Sequence, residues 1–295
     1  SFGAVVGWSG RAHSPGEIPE LVQRAFAAMR GARPRPTLIE IPSQVFGAVG
    51  DVQLPAPQVV DRPAAEADRL EHAAQRLMAA HKPVIWAGGG VHSAGANALL
   101  QALAEAINAP VLTTEQGKGA ISDRHPLSLG LAELRYAPLR SWLADRDLIL
   151  AVGTRRNFVG MVPGTQVIQI DIDEAQISQG DLIYPVVVDA KKSLQTLLDY
   201  VQSEGKVAAS SVAPEIAPEV ISEVAALNRQ RFDPAQQLQP QWGLMQAIRA
   251  AMPDDGILVQ DMNQMGYYSR NYFPTYAPRS YFTSSQLGTL GAAFP

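Results

Sequence analysis

Short, continuously apolar segments alternate with helical patterns through the middle of this 295-residue chain, and this alternation constrains the fold most strongly. Three longer segments read as buried strands: Pro83–Ala87, Leu148–Val152 and Val167–Ile172. Val111–Thr113 and Val186–Val188 repeat the pattern in shorter form. Strands that are apolar on both faces, separated by helices, are typical of a parallel sheet covered on both sides. We therefore predict an α/β fold whose centre is a complete, doubly wound parallel-sheet domain.

Apolar residues at helical spacing predict the helices that cover this sheet. The middle of the chain has three of them, at Ala94–Ile107, Leu139–Leu143 and Lys191–Val201. Ser93 precedes the first and is a candidate N-terminal cap. In open sheets of this class, ligands bind at the carboxyl ends of the strands. Candidate binding residues are therefore sought at those ends.

Two proline-rich stretches, residues 47–63 and 205–218, have weak periodicity and are interpreted as linkers. They divide the chain into an N-terminal segment, residues 1–46, a middle domain, residues 64–204, and a C-terminal segment, residues 219–295. Each end segment contains strand and helix patterns but too few of them for a complete domain. We therefore interpret the chain as an internal piece of a longer protein.

The end segments show the same alternation of strand and helix patterns as the middle. In the first, a capping box at Ser14–Glu17 begins a helix that ends at Gly31, and Thr37–Pro42 reads as a strand. The last segment is predicted to contain two helices and two strands, at Trp242–Met252, Met262–Tyr272, Ile257–Asp261 and Tyr281–Thr283.

Composition excludes several classes of function. Hydrophobic residues make up 46% and charged residues 18% of the chain, which suits a globular protein with a sizeable core. The net charge of −4, without a Lys/Arg cluster, predicts no nucleic-acid partner. With no cysteine and five scattered histidines, we predict no disulfide, thiolate or metal site in this chain. No apolar run approaches the roughly 20 residues of a membrane span, and no signal peptide is visible, so a cytoplasmic protein is expected.

Three features at strand ends predict a nucleotide crevice in the middle domain. Gly88, Gly89 and Gly90 follow one strand and would let the backbone approach a phosphate. Arg155 follows the strand Leu148–Val152 and could pair with a phosphate or stack on a base. Asp171 and Asp173 lie at the end of a third strand, where a carboxylate could accept ribose hydroxyls. The alternatives remain open: a tight glycine turn, a surface arginine and a carboxylate that caps the following helix.

Two further features lie in the C-terminal segment. Asn263 and Gln264 follow a predicted strand and could donate to a diphosphate, although an Asn or Asp helix cap explains this position equally well. Gly288, Thr289 and Leu290 offer a free backbone beside one apolar side chain. For these the alternative is a packing contact between a helix and a strand.

In this order the motifs resemble the acetolactate synthase-like family of thiamine-diphosphate-dependent enzymes, over nearly the whole chain. The last part resembles the start of the family's diphosphate-binding domain, and the first part the end of its pyrimidine-binding domain. The matching segments are Gly31–Pro42, Lys82–Gly90, Ala109–Gly119, His125–Gly130, Asp147–Arg155, Asp171–Asp173, Asp261–Gln264 and Ser284–Pro295.

The resemblance implies an enzyme that decarboxylates a small 2-oxo acid and joins or releases the product, with thiamine diphosphate as its electron sink. It places Leu290 as the apolar wedge that bends the coenzyme, and Gly288 and Thr289 as backbone contacts to its aminopyrimidine. Asn263 and Gln264 would then lie over the diphosphate. The family also implies a homodimer or homotetramer, because two subunits usually share each coenzyme.

The same resemblance implies that some parts are missing. The catalytic glutamate and the magnesium motif have no counterpart here, so no catalytic residue is assigned and the Mg²⁺ ligands are expected beyond Pro295. Gly88–Gly90, Arg155 and Asp171 fall where FAD or ADP binds in some members, and both stay open because Glu133 departs from the flavin-binding pattern. Decarboxylases and acyltransferases of other substrates share these motifs. A non-catalytic nucleotide-binding module of the same fold is the alternative from another class.

Overall fold

The computed structural model describes residues 3, 5–158, 164–204, 215–284 and 290–293. The chain divides into two compact units, Ser1–Ala64 and Ala65–Pro295. Within the described ranges, no helix combines the length and the apolar character needed to cross a membrane.

The smaller unit has two parallel strands and one long helix. Strand β1 (Trp8–Arg11) pairs with β2 (Thr37–Glu40), and helix α1 (Ile18–Gly31) connects them. A short helix α2 (Ser43–Phe46) follows. The predicted helix and its end are confirmed, and so is the strand that follows it. The capping box differs in detail, because the Glu17 carboxylate accepts from the N–H of the residue before Ser14, at 3.0 Å.

The larger unit is built on six parallel strands: β3 (Pro83–Ala87), β4 (Val111–Thr113), β5 (Ser128–Leu131), β6 (Leu148–Val152), β7 (Gln166–Asp171) and β8 (Ile183–Val187). Their order across the sheet is β5-β4-β3-β6-β7-β8, and every neighbouring pair is parallel. The chain adds strands first on one side of β3 and then on the other. The carboxyl ends of β3 and β6 therefore meet where the winding changes direction, which is where such sheets bind ligands.

Successive strand residues alternate between two cores, so the predicted covering of both faces is confirmed. Ile85 and Ala87 of β3 lie in one core, and Val84 and Trp86 lie in the other. The second core contains residues of helix α6 (Ala137–Ala144). The first contains residues of the longer helices α3 (Ala67–Ala79), α5 (Asn97–Ala106) and α7 (Ala190–Ser203). Full burial of one such aliphatic side chain contributes roughly 1.5–3 kcal/mol.

One predicted helix is wrong in its start. Instead of a single helix over Ala94–Ile107, the structure has a short helix α4 (Gly89–Ser93) and then α5. Gly95 between them has a φ of 61°, a left-handed conformation that glycine adopts without steric cost. Ser93 is therefore not an N-terminal cap. It lies at the end of α4, and its hydroxyl donates to the carbonyl of Gly89 at 3.2 Å.

The described residues after α7 form three α-helices and two strands: α8 (Pro218–Arg231), α9 (Gln241–Ala251), β9 (Leu258–Gln260), α10 (Gln264–Tyr272) and β10 (Tyr281–Thr283). Strands β9 and β10 pair in parallel. Met245, Tyr268, Phe273 and Tyr281 form a small core between these elements. The strands and helices predicted for this segment are confirmed to within two residues at each end. The predicted linker 205–218 lies mostly outside the described residues, and its last residue begins α8.

Candidate functional site

The glycines that follow β3 pack against the loop that follows β6. The Gly88 N–H donates to the Val152 carbonyl at 2.9 Å, and the Gly90 N–H donates to the Gly153 carbonyl at 3.0 Å. A Cβ on Gly90 would lie only 2.5 Å from the Gly153 Cα. Two of the three glycine N–H groups are thus already paired. Without side chains, the backbone of the glycine turn can contact the backbone of the loop after β6. The close packing accounts for these glycines without a ligand, and a nucleotide contact stays a prediction.

The other two residues of the predicted crevice differ in exposure. Arg155 is exposed, directly beyond the end of β6. Asp171 is 6% exposed at the end of β7, and its carboxylate accepts from the Asp173 N–H at 3.0 Å. Asp173 in turn accepts from the N–H of Ala175 at 3.2 Å and caps the following turn of helix. The capping alternative is therefore confirmed for Asp173.

The loop before α10 presents a helix N-terminus. The Asn263 side-chain oxygen accepts from the Gly266 N–H at 2.8 Å, so the predicted alternative of a helix cap is confirmed. Gln264 is the first residue of α10, and its side chain is exposed. The amides of Gln264 and Met265 open the helix and have no acceptor within it. Such amides, together with the helix dipole, favour an anionic group in front of them.

Asp261 joins this loop to the segment around Leu290. One carboxylate oxygen accepts from the Met262 N–H at 2.7 Å, and the other accepts from the Gly291 N–H, also at 2.7 Å. Leu290 itself is 80% exposed. Gly288 and Thr289, the predicted partners of Leu290, lie outside the described residues. The sequence prediction missed the role of Asp261, for which a carboxylate at a strand end was the available signal.

Gly266 allows α10 to sit directly on the end of β9. A Cβ at this position would overlap the Asp261 carbonyl and the Gln260 side-chain oxygen. Gln260 also donates to the hydroxyl of Thr283 across the strand pair. The loop that starts at Asp261 is therefore held by two contacts. Gly266 packs against its backbone, and the Asp261 carboxylate bonds the Met262 and Gly291 N–H groups.

Two buried cations connect this region to the central sheet. The Lys118 ammonium, 4% exposed, donates to the Phe273 carbonyl at 2.9 Å. Burial lowers the pKa of Lys118. Arg231 donates to the carbonyls of Leu129 and Leu131 at 3.0 and 2.8 Å, and burial lowers its pKa also. A third Arg231 bond reaches the Asn271 carbonyl, at 3.3 Å.

Carboxylates in the segment between β4 and β5 complete this connection. The Thr275 N–H donates to the Asp123 side chain at 2.8 Å, and the Asp123 N–H donates back to the Thr275 carbonyl at 2.9 Å. Arg270 of α10 pairs with Glu115 at 3.2 Å and also reaches the sulfur of Met262 at 3.2 Å. Arg270 thus links Met262, the neighbour of Asp261, to the segment that follows β4. In the described part of the chain, no three His, Asp or Glu side chains are grouped so that they could hold a metal.

A family model for the central domain of thiamine pyrophosphate enzymes matches residues 70–197. Among curated proteins, one named "Probable 2-ketoarginine decarboxylase" from Pseudomonas aeruginosa is 34% identical over 99% of this chain and 52% of its own length. One named "Probable acetolactate synthase large subunit" from Methanococcus aeolicus is 30% identical over 95% of this chain and 51% of its own length. The chain therefore spans about half the length of these relatives.

Other relatives carry related names. A glyoxylate carboligase from Escherichia coli O157:H7 is 36% identical over 64% of this chain and 34% of its own length. The fold also matches the X-ray structure of an enzyme from Mycobacterium smegmatis that is described as thiamin diphosphate-dependent. That match has a TM-score of 0.68 and 21% identity, and it covers 94% of this chain and 53% of the other.

Proposed function

Since the chain belongs to the thiamine pyrophosphate enzymes, we propose that it forms part of an enzyme that decarboxylates or carboligates a small 2-oxo acid, in the manner of acetolactate synthase. The observation that carries the proposal is the double hydrogen bond of Asp261. It brings the amide-rich start of α10 beside an exposed apolar side chain, Leu290. Thiamine diphosphate has an anionic end and an aromatic end, which need such partners.

The start of α10 fits the anionic end of the coenzyme. The amides of Gln264 and Met265 lack acceptors within the helix, and the exposed Gln264 side chain adds a donor. The Asn263 oxygen is occupied by its cap, so its amide NH₂ is the group left to face a ligand. We infer that these residues hold the diphosphate. No lysine or arginine is needed there, provided that a magnesium ion accompanies the diphosphate.

Leu290 fits the aromatic end. An 80%-exposed leucine costs free energy in water, and a flat ring that covers it removes that cost. We propose that Leu290 is the wedge under the coenzyme, with the backbones of Gly288 and Thr289 against its aminopyrimidine. When bound, thiamine diphosphate supplies the electron sink for cleavage next to the carbonyl of a 2-oxo acid. The chain contributes binding and orientation to this reaction.

The proposal keeps the domain division 1–46, 64–204 and 219–295, with residues 47–63 and 205–218 as linkers. It also keeps a cytoplasmic homodimer or homotetramer whose Mg²⁺ ligands lie outside this chain. FAD or ADP at Gly88–Gly90, Arg155 and Asp171 remains a prediction for the central sheet. Flavin absorbance of the purified protein, and release of ADP on denaturation, distinguish these two ligands from an empty crevice.

Within this reaction class, a simple decarboxylase is the second candidate. It is favoured by the name of the relative that matches 99% of the chain. Incubating the full-length protein with thiamine diphosphate, Mg²⁺ and either pyruvate or 2-ketoarginine separates the two. Acetolactate from pyruvate supports the first candidate, and carbon dioxide from 2-ketoarginine without a ligated product supports the second. Neither product from any 2-oxo acid offered would reject both.

A further inference from the structure

The proposed diphosphate site consists of the loop at residues 261–263, here called the coenzyme loop, and the first turn of α10. Arg270 lies in the last turn of the same helix. Because helical side chains lean back towards the N-terminus, its guanidinium extends towards the coenzyme loop. One of its N–H groups donates to the sulfur of Met262 at 3.2 Å. A side chain eight residues further along the chain therefore holds a residue of this loop.

The same guanidinium also contacts the start of α10. Its central carbon lies 5.0 Å from the centroid of the Tyr267 ring, within the range of a cation–π interaction. Tyr267 is 53% exposed, and its side chain lines one cavity together with that of Gln264. Arg270 therefore contacts one residue before Gln264 and one residue after it, which are Met262 and Tyr267.

Glu115 sets the direction of this guanidinium. One of its carboxylate oxygens accepts from the second terminal nitrogen of Arg270 at 3.2 Å, and the two side chains are only 28% and 17% exposed. A guanidinium presents its donors in a fixed plane, so it bonds a carboxylate and a sulfur at the same time. The position of the carboxylate therefore decides where the N–H group that bonds Met262 points.

Glu115 has a rigid support in the central sheet. It begins the short helical turn Glu115–Gly117, which follows β4. The Thr114 N–H donates to the carbonyl of Ala87 at 2.9 Å, and the Thr114 hydroxyl accepts from the Gly117 N–H at 3.1 Å. A Cβ on Gly117 would lie only 2.3 Å from the Ala87 carbonyl oxygen, so the turn packs directly on the end of β3. The Glu115 backbone is therefore fixed relative to the sheet.

We propose that Glu115 and Arg270 are positioning residues for the coenzyme loop, an inference that rests on the proposed function. Glu115 orients the guanidinium, and the guanidinium holds Met262 and Tyr267 so that the first amides of α10 face the diphosphate. Neither charged side chain contacts the coenzyme itself. Amides that are held in one geometry before the ligand arrives bind it more tightly, because less ordering is left for the binding step. The ion pair therefore raises coenzyme affinity as well as joining α10 to the central sheet.

Two substitutions of Arg270 separate positioning from stability in the full-length protein. Arg270→Met leaves the Glu115 carboxylate unpaired and should lower both the melting temperature and the affinity for thiamine diphosphate with Mg²⁺. Arg270→Lys keeps the ion pair, but one compact ammonium replaces the two N–H groups that bond Glu115 and Met262. It should therefore recover most of the melting temperature and still bind the coenzyme at least about fivefold more weakly than the wild type in a calorimetric titration. Recovery of both quantities in Arg270→Lys would indicate a purely structural pair and overturn the proposal.

Met262→Leu breaks the same contact from its other end. It removes the sulfur acceptor at nearly constant volume, so it should weaken coenzyme binding while the melting temperature stays close to that of the wild type. Combined with Arg270→Lys, it should cause no further loss of affinity, because that contact is already broken. Additive losses would contradict the proposal.

The matched controls are Met78→Leu in α3 and Arg229→Lys at an exposed position of α8, and both should bind the coenzyme like the wild type. The titrations also distinguish this inference from the proposed function. If the wild type binds thiamine diphosphate and both Arg270→Lys and Met262→Leu bind it equally well, the positioning role alone is rejected. If the wild type does not bind it, the proposed function and the positioning role are both rejected.

Discussion

At the scale of single residues, the larger unit contains glycines at which an added Cβ would overlap a neighbouring segment. Gly266 is the clearest, since an added Cβ would overlap the Asp261 carbonyl and the Gln260 side chain. The sequence predicted the helix around it but gave no reason for the glycine. The reason is a contact between a helix and a strand end, and no local pattern encodes such a contact.

The first prediction concerns this glycine. Gly266→Ala should lower the free energy of unfolding by about 1–3 kcal/mol, because the helix must move away from the strand end. Gly243→Ala is the matched control, at an exposed position of α9 where the new Cβ meets its nearest atom at 3.4 Å. It should be neutral or stabilising by up to about 1 kcal/mol. Chemical denaturation measures both, and equal effects would refute the packing argument.

The second prediction concerns buried Lys118. Its pKa is lowered from the ordinary 10.5, so below pH 10.5 the unfolded state binds more protons than the folded state. The contribution of neutral Lys118 to the free energy of unfolding is fully present above pH 10.5. It is lost as the pH falls through the folded-state pKa of Lys118. Relative to Lys118→Met, the wild type should therefore gain stability as the pH rises towards 10.5. Parallel melting-temperature profiles for the two proteins would contradict this.

At the scale of elements, most strands of the central sheet were predictable and some helices were not. β3, β4 and β6 form at their predicted residues because each is a short apolar run that is buried on both faces of the sheet. Helices α3 and α8 were missed because charged residues fill their exposed faces and each adjoins a proline-rich stretch. β5 was missed too, since Gly130 in it has a φ of 63°. Its place at the sheet edge depends on pairing with β4, which is a tertiary contact.

The third prediction concerns the cap of α10. Asn263→Asp keeps a good capping oxygen but places a negative charge beside the proposed diphosphate. It should retain the melting temperature of the free protein and weaken thiamine diphosphate binding by about tenfold or more. Asn263→Ala should cost about 1 kcal/mol of stability through loss of the cap. Unchanged affinity in Asn263→Asp would place the diphosphate elsewhere.

At the scale of the whole molecule, the sequence divided the chain at residue 205, yet the two sides of that boundary share buried hydrogen bonds. Arg231, Lys118 and Asp123 connect the C-terminal elements to the central sheet. Such long-range bonds have no signature in composition or periodicity. We therefore expect the described elements of the larger unit to unfold together.

The fourth prediction tests this connection. Arg231→Met removes a donor from carbonyls of β5 and α10, at roughly 1–3 kcal/mol for a buried carbonyl that is left without any donor. In this variant, hydrogen exchange of the amides of α9 and α10 should accelerate relative to the wild type. The amides of β3 and β6 should accelerate less. Arg229→Met, at an exposed position of the same helix α8, should change neither rate. If exchange accelerates equally in both regions of Arg231→Met, the connection is not specific to the C-terminal elements.

In the proposed coenzyme site, Asp261 is the residue that holds the two binding segments together. The most direct test is a calorimetric titration of the full-length protein with thiamine diphosphate and Mg²⁺, for the wild type and for Asp261→Ala. The wild type should bind, and the variant should bind at least about tenfold more weakly, because the Gly291 N–H loses its charged acceptor. Equal affinity in the two proteins, or no binding by the wild type, would contradict the proposed function.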